Sequence, residues 1–177
     1  MSEDPSPGSS PSPAAASPGS PARVASAGGA GATRGPRTPY GTRTRTTRTK
    51  ARKRALDILF EAELRGRTLI ETLAERSALA DPPIRDYTAE LVRGVHRTQA
   101  ELDARITAHL ATGWTLARMP RVDRAAVRIA VYEIDYVDAV PDAVAVSEAV
   151  ELVGELSTDE SPSYVNGLLA AIVAEKS

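Results

Sequence analysis

The sequence predicts an all-α fold: a compact bundle of six to seven helices behind a disordered amino-terminal tail. Two observations carry this. Beyond about residue 48, apolar side chains recur at the three- and four-residue spacing of helix faces, with Gly and Pro punctuating them at helix-length intervals. No stretch shows the period-two alternation of a half-buried strand.

The tail comes first. Residues 1–41 are built from Pro, Ser, Ala and Gly, with Val24 the only aliphatic side chain larger than Ala and Tyr40 the only aromatic. Such a segment cannot bury enough apolar surface to offset a backbone entropy cost of roughly 1–2 kcal/mol per residue. The expected organisation is a disordered tail over 1–41, a basic arm over 42–50 and a helical domain over 51–177.

The first helix emerges near Arg48, with Leu56, Leu59, Phe60 and Leu64 on one face, and Gly66 ends it. A second spans residues 68–79, with Leu69, Leu73 and Arg76 at helical spacing, and stops at Asp81, Pro82 and Pro83. Ile84, Tyr87, Leu91, Val95, Leu102, Ile106 and Leu110 mark about 26 residues of helix, with a candidate break near Thr98, closed by Gly113. Beyond Pro120, the face of Val122, Ala126, Ile129, Ala130, Ile134 and Val137 is uninterrupted, which predicts a central, heavily buried helix. Pro141 suits the first turn of the next, which carries Val146, Ala149, Val150, Val153 and Leu156. In the last helix Ser161 is the expected cap and Pro162 the first residue, ahead of the stripe Val165, Leu168, Leu169, Ile172 and Val173.

The net charge of −1 conceals an asymmetry. Residues 1–41 carry +1. Residues 42–54 hold Arg43, Arg45, Arg48, Lys50, Arg52, Lys53 and Arg54 with no acid, and the rest of the chain has 12 basic and 21 acidic groups. Seven cations in 13 residues on an acidic body point to a localised polyanion site. Arginine suits phosphate because its planar fork donates paired hydrogen bonds, and it also stacks on exposed bases. Cations near a helix N-terminus oppose the macrodipole by a few tenths of a kcal/mol, a cost that a bound phosphate relieves.

Little else suggests chemistry. There is no cysteine, which excludes disulfides, thiol catalysis and cysteine-bound zinc. His96 and His109 lack the close pairing and third ligand of a metal site. Gly28, Gly29 and Gly31 belong to the low-complexity tail, not to a phosphate loop. No cofactor, metal, small-molecule substrate or catalytic residue is expected. The amino terminus lacks a basic-then-apolar leader and no run approaches the roughly 18 apolar residues of a membrane span, so the expected location is cytoplasmic.

Five stretches, in order, resemble the NusB family: ARKRALDILF at 51–60, LVRGV at 91–95, PRVDRAAVRIAVYEI at 120–134, PDAVAVSEAVE at 141–151 and SYVNGLL at 163–169. The resemblance covers roughly residues 48–175. It implies two packed three-helix bundles and a transcription antitermination factor. Family members pair with the ribosomal protein NusE, bind single-stranded boxA RNA of ribosomal RNA operon leaders, and act within the RNA polymerase antitermination complex. Carried over, the family's arginine motif falls on Lys50, Arg52, Lys53 and Arg54, and the aromatic that lies against RNA on Tyr164. Part of the NusE-facing surface falls on Tyr132 and Glu133. Asn166 and Gly167 are expected to be structural, Gly167 by allowing close helix packing and Asn166 by bonding a neighbouring loop. Arg43, Arg45 and Arg48 extend the motif beyond the family's length, and the tail has no family counterpart.

Tyr164 also has a case from geometry, because it sits at the edge of the last helix's apolar stripe, where a ring can be half packed and half available to a base. Two rivals stay open from sequence. One is a helical protein-interaction module with a non-specific basic arm; the other is a NusB-like domain tied to RNA modification, which would need a Rossmann-type domain as well.

Overall fold

The computed structural model describes residues 46–176; Arg43, Arg45 and the segment 1–41 lie outside them. Six α-helices follow one another: α1 (Thr47–Arg65), α2 (Leu69–Leu79), α3 (Asp86–Ala108), α4 (Arg121–Tyr136), α5 (Asp142–Leu156) and α6 (Ser161–Lys176), with a short 3₁₀ turn at Leu116–Arg118. No strand occurs among the described residues. The helices form two three-helix bundles, α1–α3 and α4–α6, joined chiefly through α4, which packs against α1, α3, α5 and α6.

Local chemistry sets the helix ends. The Thr46 hydroxyl accepts from the Thr49 amide, starting α1 at Thr47, so Arg48 and Lys50 are helical rather than part of an extended arm. Gly66 terminates α1 at φ 63°, a left-handed conformation that costs glycine nothing. Thr68 and Glu71 close a reciprocal capping box on α2. The third helix runs unbroken through Thr98, whose hydroxyl bonds back to the Gly94 carbonyl within the helix. Ser161 lies inside the first turn of α6 instead of capping it, and its hydroxyl donates to Asp123 on α4 at 2.8 Å.

The core is continuous across both bundles. As expected, α4 is central, but it is buried well beyond one face: Ala125, Val127, Val131, Tyr132 and Glu133 are enclosed with Ala126, Ile129, Ala130 and Ile134. On α1 the inward stripe is Ala51, Ala55, Ile58, Leu59 and Ala62 with Leu56, while Leu64 projects outward, 59% exposed. Small residues on α1 let its backbone approach α3 and α4 closely. The same need appears at Gly94, where a methyl group would overlap the Tyr132 ring. Gly167 and Asn166 behave differently from expectation: both are exposed, and a Cβ at Gly167 would meet nothing.

Candidate nucleic-acid interface

The basic run divides around α1 by its helical rotation. Arg52 points inward and is 2% exposed. Its Nε donates to both carboxylate oxygens of Glu133 at 2.9 and 3.0 Å, and its Nη1 lies 3.3 Å from Glu148. Tyr87 donates to the same Glu133 carboxylate, and its ring lies beneath the guanidinium groups of Arg52 and Arg48, at 5.9 and 5.1 Å from the ring centre. Burial pulls the Arg52 pKa down, but the Glu133 hydrogen bond and nearby carboxylates outweigh it and hold the group above its ordinary value. Burial and the bond to Glu133 push the Tyr87 hydroxyl well above its usual range.

These contacts revise three sequence expectations. Arg52 is held in the interior by α4 and α5 and is not presented to solvent. Glu133 is 1% exposed and Tyr132 5%, stacked 5.5 Å from Tyr136 and seated against Gly94, so neither presents a partner-facing surface. The sequence reading could not see this because a buried Arg requires an acid on a remote segment, here 81 residues away. Motif matching registers the two residues separately and not as a pair.

The outer face of α1 is different. Arg48, Lys50 and Arg54 are exposed. Arg48 reaches the Ala139 carbonyl at 3.3 Å, and Lys53 is held by Glu155 at 2.6 Å. Among the described residues no ion pair engages Lys50 or Arg54. Since α1 begins without an acidic residue in its first turn, this end carries helix-dipole and side-chain charge of the same sign.

Tyr164 lies where the stripe geometry puts it, half-buried in the first turns of α6. Its ring centre is 5.8 Å from Trp114, which is 45% exposed, and the Arg118 guanidinium lies 5.4 Å from the Trp114 ring centre. The Tyr164 hydroxyl is buried without a hydrogen-bond partner among the described atoms. Burial, then the Asp123 carboxylate, push its pKa up. Trp114 and Arg118 were not among the residues singled out. The available signal was the chain's sole Trp, placed beside Gly113 in a loop, where core packing does not demand an indole.

His96 is exposed, His109 bonds the Arg105 carbonyl and faces Glu175, and no metal-binding cluster exists among the described residues. No described helix is long and apolar enough to cross a membrane.

Comparison with known proteins places this arrangement. The family model described as "NusB family" matches residues 49–174. The transcription antitermination protein NusB of Acidothermus cellulolyticus is 54% identical over 129 residues, covering 73% of this chain and 88% of that protein. That of Salinispora tropica is 55% identical over 128 residues, covering 71% and 93%. Among solved structures, T. maritima NusB aligns at TM-score 0.66 and 29% identity, covering 74% of this chain and 93% of that one. The antitermination factors NusB and NusE in complex with dsRNA align at TM-score 0.64 and 27% identity, covering 72% and 96%. With matching motifs, two three-helix bundles and a family match over most of its length, the chain belongs to the NusB family.

Proposed function

We propose that this protein is a non-enzymatic, cytoplasmic transcription antitermination factor that binds single-stranded boxA RNA together with NusE, as part of the antitermination complex on RNA polymerase. The observation that carries this reading is the outer face of α1, where exposed Arg48, Lys50 and Arg54 rise from a helix locked to the core by Arg52. A rigid root gives the phosphate contacts a fixed register, which a solvated charge run lacks. Lys53 joins them by exchanging Glu155 for phosphate, and Arg43 and Arg45 add charge from the preceding segment. Such contacts position RNA without reading it. Discrimination falls to the ring of Tyr164, with Trp114 beside it, where unstacked bases find aromatic surface.

Arg52 has a different part in this reading. It anchors α1, and its charge acts on RNA only by setting where its neighbours stand. The NusE surface is formed by groups other than the side chains of Tyr132 and Glu133, which are interior.

The test is a titration of labelled boxA RNA and a scrambled RNA, with and without NusE, across a range of salt. The expected result is tight binding of boxA in the presence of NusE, weaker binding of the scramble, and affinity falling steeply with salt. Equal, weak binding of both RNAs with NusE present overturns the antitermination reading. Salt-sensitive binding of NusE with no RNA response favours a protein-interaction module instead.

A further inference from the structure

Between the outer face of α1 and residues 79–85, which join α2 to α3, lies a cleft of about 470 Å³. Two consecutive prolines, Pro82 and Pro83, follow the end of α2, and the connection bends at Asp81 and Pro82. Lys50, Lys53 and Arg54 line the cleft from α1, and Arg85 closes it from the residue that precedes α3. Lys53 is held by Glu155, and no ion pair among the described residues engages Lys50, Arg54 or Arg85. The opposite wall is apolar: Leu79 is 70% exposed, and Ile84 is half-buried at the edge of the core. Two carboxylates, Asp57 and Asp81, also face the space.

That mixture excludes simple occupants. A bare anion would gain from the cations but would meet both carboxylates, and it has no use for an apolar wall. An acyl chain would leave the charged groups unpaired. A ligand that combines an anionic group, a flat apolar ring and N–H donors uses every part, and a nucleotide is such a ligand. The volume lies within the range of small-ligand sites.

We propose that this cleft takes one nucleotide of the bound RNA, its phosphate on Lys50, Arg54 and Arg85, its base against Leu79 and Ile84, with Asp57 or Asp81 accepting from a base N–H. This rests on the reading that the protein binds single-stranded RNA, and it adds a base-selective position at the α2–α3 connection, distinct from the Tyr164 ring. Arg85 and Leu79 become RNA contacts, though neither falls in the basic run.

The experiment uses the full chain with NusE and a series of boxA RNAs in which each base in turn is replaced by an abasic unit, leaving every phosphate in place. Wild type is expected to lose about tenfold in affinity at one position attributable to the cleft, equivalent to one favourable base contact. Leu79→Asp, at an exposed site, is expected to bind intact RNA about tenfold more weakly. It should then show no further loss at that same abasic position. Arg85→Ala is expected to lower the salt slope by about one. If Leu79→Asp and Arg85→Ala bind the whole series like wild type while Lys50→Ala and Arg54→Ala weaken it, the cleft is not a nucleotide site, and the RNA-binding reading stands. A lowered salt slope with unchanged abasic losses means that an anion alone is held, and it overturns the base pocket. Weakened NusE binding with unchanged RNA binding makes the cleft a protein surface and overturns the proposal. Failure of wild type to prefer boxA over a scramble removes the RNA reading itself.

Discussion

Arg52 and Lys53 are neighbours in the chain, yet one is interior and the other lies at the surface. A helix turns each successive residue by about 100°. On α1 this sends Arg52 into a network with Glu133, Glu148 and Tyr87, while Lys50 and Arg54 face solvent and Lys53 meets Glu155 at the surface. The inner side exchanges hydration for paired carboxylates in a low-dielectric interior, where each contact must be nearly complete to offset desolvation. The outer side keeps its hydration and leaves charge available to a polyanion. A basic motif is therefore a sum of two parts, and the two parts respond to different experiments.

The largest effect should come from breaking the inner side. Arg52→Ala or Glu133→Ala leaves its partner buried with an uncompensated charge, so each is expected to destabilise the fold by about 3–5 kcal/mol in chemical denaturation. Arg52→Met combined with Glu133→Leu should recover much of that loss, because Glu133 no longer stands as a buried lone charge, while Glu148 loses its cation but keeps the bond from Thr49. An Arg52→Ala protein of unchanged stability that binds RNA poorly would dissolve the division between the two sides.

Gly94→Ala tests the inner side without touching a charge. The added methyl overlaps Tyr132, whose ring is fixed by Tyr136 and the core, and overpacking of this kind is expected to cost about 1–3 kcal/mol. A thermal midpoint equal to wild type would mean that the ring can move aside.

On the outer side, Lys50, Lys53 and Arg54 changed together to Ala should alter stability by less than about 1 kcal/mol, since only Lys53 loses an ion pair and that pair is solvent-exposed. RNA affinity should fall, and the slope of log affinity against log salt should drop by about 2, the amount for three contacts to a single strand. Loss of stability comparable to Arg52→Ala would place these residues in the core network instead.

The smallest effect concerns the far end of α1 and shows what a surface pair contributes. Hydrogen bonds from Arg76, then Arg65, hold the Glu61 carboxyl at about 2, below its ordinary 4.5. A lowered folded-state value means that this stabilisation is present above pH 4.5 and is lost as pH falls toward about 2. Glu61→Gln should therefore lower stability slightly above pH 4.5, flatten the profile across that acid window and leave it unchanged below about pH 2. A profile identical to wild type would show that solvent screens the pair entirely.

Much of the fold was legible in the sequence. Helix spacing, the Gly66 stop, the paired prolines after α2 and the central α4 stripe are local signals, and the structure follows them with shifts at the caps and at Thr98. Leu64 misled because three- and four-residue spacing defines a face without saying how wide the buried stripe is. At the candidate site the picture was mixed. Tyr164 sits at the stripe edge as read, but Trp114 and Arg118 join it from a loop 50 and 46 residues earlier, a proximity with no local signature.

By itself the sequence determined the helices, their order, the charge asymmetry and the family, because these depend on composition, periodicity and motifs within a few turns of chain. Only the tertiary structure decided which cations are available. Burying Arg52 depends on Glu133 arriving from α4 and Glu148 from α5, and the cleft beside Lys50 and Arg54 depends on where residues 79–85 pass. Burial and pairing are properties of segments distant in sequence, so the same residue type, buried at Arg52 and exposed two positions along at Arg54, can be a structural bolt or a free contact.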